Sequence, residues 1–146
     1  MNREVMFSSK RQDWATPDDV FKKLDDEFHF TLDAASSHEN AKCAKHYTIV
    51  EDGLKQDWTG ERVFINPPFG REIGKWVRKA SEESCKPNTL VVMLIPARTD
   101  TSYWHDYIFA RRSSGERAEV RFLRGRITFK GGTATAPFPS AVVVFR

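Results

Sequence analysis

Apolar residues recur along this 146-residue chain in two rhythms. Val20, Phe21, Leu24 and Phe28 fall at helical spacing, as do Ile73, Trp76, Val77 and Ala80 within Arg71–Ser84. Each set predicts an amphipathic helix with one face on a core. The first helix has a start signal in Thr16-Pro17-Asp18-Asp19, with Thr16 as cap, Pro17 in the first turn and two acids at the positive end of the dipole. A third helix, capped by Asp100 or Thr101, takes its apolar face from Tyr103, Trp104, Tyr107 and Ile108. The other rhythm is continuous. Val63–Ile65, Thr89–Ile95 and Ala141–Phe145 are unbroken apolar runs and predict strands covered on both faces. Phe30–Asp33, Tyr47–Val50 and Ala118–Phe122 predict shorter strands.

Strands alternating with helices predict an open α/β sheet. Only roughly 30 residues separate the first strand from the Val63 run, and one strand-to-strand crossover alone takes about a dozen. One or both helices of this half are therefore predicted to be shortened or missing. Residues 1–13 are polar and read as a flexible arm ahead of one domain spanning 14–146. At 40% hydrophobic, the chain can bury one core and little more.

Composition narrows the function classes. No run of about 18 apolar residues is present, which argues against a membrane span, and no long apolar segment follows the first residues, which argues against a secretory signal. Cys43 and Cys85 stand in unrelated segments without metal-ligand spacing and are expected to be free thiols of a reducing compartment. His105 likewise has no metal-spaced partner, so no metal is expected. The net charge of +3 conceals an asymmetry. Residues 1–61 carry 8 Lys and Arg against 13 Asp and Glu, a balance of −5, while residues 62–146 carry 15 against 7, a balance of +8. A basic second part suits a phosphate backbone, or is ordinary solvated charge.

The strongest chemical signal is the end of the Val63 run, where Val-Phe-Ile meets Asn66-Pro67-Pro68-Phe69-Gly70. Neither proline can donate to a sheet ladder, and each restricts the residue before it to extended conformations. The turn is therefore stiff and presents an amide, a bare carbonyl and a ring close together. Asn66 Oδ1 and the Pro67 carbonyl can accept both hydrogens of an exocyclic amino group while Phe69 stacks on the ring that bears it. Methyl transfer to such a nitrogen needs this grip, because its lone pair is delocalised and must be turned toward the incoming carbon. The same two acceptors stabilise the positive charge that develops.

Other strand ends add candidates. Phe30–Asp33 runs into Ala34-Ala35-Ser36-Ser37, the profile of a first strand ending at a ligand crevice, with no glycine-rich loop. Asp52-Gly53 and Asp57-Trp58 follow the predicted Tyr47–Val50 strand, and Asp52-Gly53 fits a plain turn equally well. The Thr89–Ile95 strand opens into Pro96-Ala97-Arg98-Thr99-Asp100, where Arg98 and Asp100 contact substrate or pair with each other. Arg71 stands beside the Asn-Pro-Pro-Phe turn. Arg124-Gly125-Arg126 and Lys130-Gly131-Gly132 form a basic, glycine-punctuated excursion suited to phosphate or to a plain hairpin.

The Asn66-Pro67-Pro68-Phe69 turn resembles the (Asp/Asn)-Pro-Pro-(Tyr/Phe) motif of S-adenosylmethionine-dependent amino methyltransferases. More narrowly, the chain is similar to the phage-type, Dam-like DNA N6-adenine methyltransferases. The likeness covers nearly the whole length, through Trp14-Ala15-Thr16-Pro17, Phe30–Ala35, Asp52-Gly53-Leu54 with Asp57-Trp58, Pro96–Asp100, Arg121–Arg126 and Ala136–Ser140. It implies a Rossmann-like methyltransferase fold, with a mostly parallel sheet, antiparallel last strands and a shortened first half. It implies S-adenosylmethionine as cofactor, with Thr16, Pro17, Asp33, Ala34, Asp52, Asp57 and Asn66 as contacts. It also implies a flipped adenine of double-stranded DNA held by Asn66, Pro67, Pro68 and Phe69; by position and charge, Arg71, Arg98, Thr99, Arg124, Arg126 and Lys130 are the expected DNA contacts. A phage origin would place the protein in the cytoplasm of a bacterial host. Two alternatives remain open, namely methylation of another planar amino group (cytosine N4 or a glutamine amide) and a non-catalytic DNA-binding module on the same fold.

Overall fold

The computed structural model describes residues 15–112, 115–129 and 135–146. The predicted arm at 1–13, Trp14 and the Lys130-Gly131-Gly132 segment lie outside the described residues. Two α-helices, five strands and two short helical turns make up the rest (α1 Asp18–Phe28, β1 Leu32–Asp33, a 3-10 turn Gly53–Lys55, β2 Arg62–Ile65, α2 Ile73–Glu83, β3 Leu90–Pro96, a π-helical segment Trp104–Phe109, β4 Glu119–Phe122, β5 Ser140–Phe145).

The strands form one sheet in the order β1-β2-β3-β5-β4. β1, β2 and β3 are parallel neighbours, and β5 lies between β3 and β4, antiparallel to both. Both late pairings are antiparallel, so β4 runs in the same direction as β1, β2 and β3. The sheet is a mixed α/β one with a parallel start and a single reversed strand. This arrangement brings the ends of β1, β2, β3 and β4 and the beginning of β5 to one edge. Every residue of β3 and β5 is buried, as the continuous apolar runs require.

Each face has its own core. Ile73, Trp76, Val77 and Ala80 of α2 pack with Trp58, Trp104 and Ile108 against Leu32, Val63, Ile65 and Met93. On the other face, Leu24 and Phe28 of α1 meet Phe64, Val92, Leu94 and Val142, with Phe129 and Phe138 from the segment before β5. The predicted α2 stripe is buried throughout, while in α1 Leu24 and Phe28 are buried and Val20 and Phe21 are half-buried against the same core. Glu83 joins the α2 stripe: its Oε1 accepts the Trp58 backbone N–H at 2.6 Å, and Lys79 and Lys86 flank the carboxylate.

Several local expectations are corrected. Thr16 does not cap α1: the residue before the helix is Pro17, no side-chain cap bond is made there among the described residues, and Thr16 is itself buried. The next helix begins at Ser102, directly after Thr101, and widens into π geometry from Trp104, with no hydrogen bond from the Asp100 or Thr101 side chain to its first backbone N–H groups. The Thr101 hydroxyl instead donates to the Arg98 carbonyl at 2.7 Å. Tyr47–Val50 is not a strand. A single bridge joins His46 to Asp33, after which Glu51 Oε1 accepts from both the backbone N–H (2.8 Å) and the hydroxyl (3.0 Å) of Thr48. That local bonding competes with sheet pairing, and it leaves Ile49 and Val50 exposed on a turn. As predicted from length, no α-helix forms between β1 and β2, where the 3-10 turn is the regular helical element.

Candidate active site

The shared strand edge gathers most of the predicted site residues. Ala34 N–H donates to the Phe64 carbonyl at 3.2 Å, which ties the end of β1 to the end of β2 just before Asn66. Ala97 N–H donates to Pro139 at 2.8 Å, and Leu123 N–H to Ser140 at 3.0 Å. These bonds lock the loops after β3 and β4 to the start of β5. Asn66, Arg98, Thr99, Arg124 and Arg126 therefore stand on one rim.

Asn66 is half-buried and its Oδ1 is shielded from bulk water. A hydrogen bond accepted there forms in a low-dielectric setting, where it is stronger. Pro67 is buried and Pro68 half-buried, in an extended stretch with no cis peptide bond. Phe69 packs against both cores. Its ring meets Phe138 at 5.5 Å and 90° and Phe129 at 6.1 Å and 73°, two edge-to-face contacts that fix its plane. The Arg98 guanidinium lies over the outer partner, 5.5 Å from the Phe138 ring centre.

A cleft of about 240 Å³ opens beside this turn. Pro68 lines it, with Ala34, Ala35 and Ser36 from the end of β1, Asp52, Gly53 and Leu54 from the 3-10 turn, and Glu72 and Trp76 from the start of α2. Thr48 and Ile49 complete the wall. Asp52 holds a positive φ of 57°, and its Oδ1 accepts the Leu54 N–H at 3.1 Å. Gly53 is needed for close approach: a Cβ there would sit 2.2 Å from the Ala34 carbonyl oxygen and 3.0 Å from the Trp76 ring. Trp76 in turn stacks on Trp58 (6.4 Å, 19°), whose indole N–H donates to the Gly53 carbonyl at 3.0 Å. These contacts tie Gly53, Trp76 and Trp58 together beneath the cleft.

Asp33 is buried beneath this wall rather than lining it. Its two carboxylate oxygens accept backbone N–H groups from Ala35 (3.3 Å) and Lys42 (2.9 Å), which shapes the loop after β1. Burial first, and then the Asp33 charge, push the Cys43 thiol up to about 12, so it stays protonated. Neither cysteine forms a disulfide among the described residues. Thr16 and Pro17 sit just before α1, buried and half-buried, and are not among the cleft residues.

Asp57 is elsewhere. It precedes β2, at the opposite edge of the sheet, where Thr59 donates to it from its hydroxyl (2.5 Å) and its backbone N–H (3.0 Å) and Lys86 pairs with it at 3.1 Å. The Thr59 bonds, then the Lys86 ammonium, hold its carboxyl well below the usual carboxylate range. The structure thus separates two aspartates that stand five positions apart.

Arg71, Arg98, Thr99, Arg124 and Arg126 are exposed. None of these four arginines pairs with a carboxylate among the described residues. Arg98 and Asp100 in particular form no ion pair. No group of three or more His, Cys, Asp or Glu among the described residues is placed to hold a metal ion. Ser36 and Leu54 line the cleft from two segments that the sequence had singled out, whereas Thr48, Ile49, Glu72 and Trp76 line it but carried no site signal in the sequence. Glu72 stands in the turn after Gly70, where a search of the residues following the motif would find it. Trp76 is hidden inside an ordinary core stripe.

Known proteins share this arrangement of sequence. The chain matches the family described as DNA N-6-adenine-methyltransferase (Dam) over residues 5–142. It is 34% identical over 105 residues to the DNA N-6-adenine-methyltransferase of Escherichia phage T1, covering 70% of this chain and 42% of the relative. It is 32% identical over 108 residues to the protein of the same name from Haemophilus phage HP1, covering 73% of this chain and 61% of that relative. The chain therefore spans about half the length of these curated relatives, and it belongs to the DNA N-6-adenine-methyltransferase (Dam) family.

Proposed function

We propose that this chain is a Rossmann-like, S-adenosylmethionine-dependent methyltransferase domain, formed by residues 14–146, that methylates adenine N6 in double-stranded DNA in the cytoplasm of a bacterial host. The observation that carries the reading is the adjacency of the cleft to the Asn-Pro-Pro-Phe turn, with Pro68 belonging to both. The cleft suits a nucleoside linked to an amino acid: it has small walls at Ala34 and Ala35, apolar surface on Ile49, Leu54 and Trp76, hydroxyls on Ser36 and Thr48, and carboxylates on Asp52 and Glu72. When bound, S-adenosylmethionine supplies an electrophilic methyl group on a sulfonium.

The chain's own residues do the rest. Asn66 Oδ1 and the Pro67 carbonyl accept the two N6 hydrogens and turn the nitrogen lone pair out of the ring plane. As N6 gains the methyl carbon it becomes positively charged. These fixed acceptors stabilise that charge before a proton leaves to water. Phe69, braced by Phe129 and Phe138, offers a ring for the purine. A base paired in a duplex cannot reach a half-buried amide, so the adenine leaves the stack first. Arg71, Arg98 and Thr99 hold the backbone near it, and Arg124 and Arg126 hold the backbone further along the rim, with Lys130 as a further candidate.

In this reading Asp52, with its carboxylate on the cleft wall, is the cofactor contact among the acidic candidates. Asp33 acts through loop shape, and Asp57 takes no part. The test is incubation with unmethylated duplex DNA and tritiated S-adenosylmethionine, followed by digestion to nucleosides and chromatography. Label in N6-methyladenosine is expected. Label confined to cytosine, or no label from a chain that binds the donor, would overturn the adenine reading.

A further inference from the structure

Phe122 closes β4 and is 62% exposed. Its ring lies nearly parallel to Trp104, with centroids 6.3 Å apart and planes 16° apart. Trp104 is fully buried and pinned by its indole N–H to the Pro96 carbonyl at 3.2 Å. The exposed ring therefore has a rigid backing, and no described residue covers it. Arg124 and Arg126 follow at alternate positions, exposed and without a carboxylate partner among the described residues.

Because β4 runs in the same direction as β2, Phe122 stands on the rim that carries Asn66. Three strand spacings of about 4.8 Å put it roughly 14 Å along that rim, or about four base-pair steps of 3.4 Å. A second copy of the chain is a poor occupant, since self-association here would bring two pairs of unneutralised arginines together. A polyanion with flat apolar faces fits both features.

We propose that Phe122, Arg124 and Arg126 form a second DNA contact, in which the arginines hold phosphates and the Phe122 ring wedges at a base step about four pairs from the flipped adenine. This contact rests on DNA being the partner, as in the proposed function, but not on the methylation chemistry. It would widen the recognised sequence without a separate recognition domain, because a step that unstacks readily accepts the wedge at lower cost.

The test uses the full chain as wild type and as Phe122→Ala, Phe122→Thr and Phe122→Trp. Duplex affinity is measured across a salt series, with 2-aminopurine placed in turn three to five pairs from the target. Phe122→Ala is expected to weaken duplex binding about tenfold and to abolish the fluorescence rise at one of those positions, with the salt slope unchanged. Phe122→Trp should restore both. Arg124→Ala with Arg126→Ala should instead lower the salt slope by about two. Phe122→Thr suits a strand end without offering an apolar wedge and carries the test if alanine unfolds the chain, with cofactor titration as the folding control. Unchanged affinity and fluorescence in Phe122→Ala or Phe122→Thr, or a change in mass by light scattering without a change in DNA binding, would overturn the proposal. Wild type that binds duplex but transfers no label would defeat the methylation reading alone.

Discussion

The two edges of the sheet are built from similar residues and put to different uses. At the edge where β2, β3 and β5 respectively begin, begin and end, charges are neutralised in pairs. Lys86 serves Asp57 and Glu83, Lys45 meets Glu61, Arg121 holds Glu27 and Glu119, and Arg146 also reaches Glu119. At the edge where β1, β2, β3 and β4 end, Arg71, Arg98, Arg124 and Arg126 have no such partners among the described residues, and a cleft opens beside Asn66. Pairing a charge satisfies it within the protein, whereas leaving it solvated keeps it for something outside. The difference teaches where to look: in the proposed reading an aspartate at the paired edge is structural, and an arginine at the open edge is left for phosphate.

The layer between the edges supports both, so removing it should produce the largest effect. Trp58 is fully buried, stacks on Trp76 and bonds both Gly53 and Glu83. Trp58→Ala is expected to cost about 3–5 kcal/mol in chemical denaturation, since it leaves a large cavity. Gly53→Ala probes the open edge alone. Its new Cβ cannot coexist with the Ala34 carbonyl at 2.2 Å, so two walls of the cleft must part. Overpacking of this kind costs about 1–3 kcal/mol, and calorimetry should show cofactor affinity reduced by about tenfold or more.

Smaller changes sharpen the contrast in charge. Replacing Arg71, Arg98 and Arg124 by alanine should each lower the slope of log affinity against log salt by about 0.9 if each neutralises one phosphate. The same replacement of Arg78, already paired with Glu82 on the α2 surface, should leave the slope unmoved. The smallest effect belongs to Asp57. Its folded-state pKa is depressed, so its contribution to stability is present above the unfolded carboxyl value of about 3.9 and is lost as pH falls through the lower folded value. The denaturation midpoint of Asp57→Asn should lie slightly below that of wild type at pH 7, and the gap should close in strong acid. A gap that widened on acidification would contradict the assignment.

Much of this was legible in the chain because it depends on local pattern. The Val63–Ile65 and Thr89–Ile95 runs are strands because β-branched residues covered on both faces have few other places to go. Ile73, Trp76, Val77 and Ala80 share a face because of the helical period. The Asn-Pro-Pro-Phe turn sits at a strand end because proline forbids the ladder from continuing. What stayed hidden depends on contacts distant in sequence. Asp52 and Asp57 look equivalent in one dimension, yet the chain crosses from one sheet edge to the other between them. Tyr47–Val50 has strand composition, but the Glu51 carboxylate takes the Thr48 hydrogen bonds first. Trp76 belongs to the core and to the cleft at once, and helical periodicity reports only the former.

The central claim is that chemistry belongs to the open edge and not to the paired one. Its most direct test is single-turnover methylation of duplex DNA by Asn66→Ala beside Asp57→Asn, with cofactor affinity measured on both. Asn66→Ala is expected to bind the cofactor normally and to methylate about 100- to 1,000-fold more slowly, the scale of losing one preorganised group at a developing charge. Asp57→Asn should match wild type in both measurements. Normal turnover in Asn66→Ala, or loss of cofactor binding in Asp57→Asn, would contradict the account.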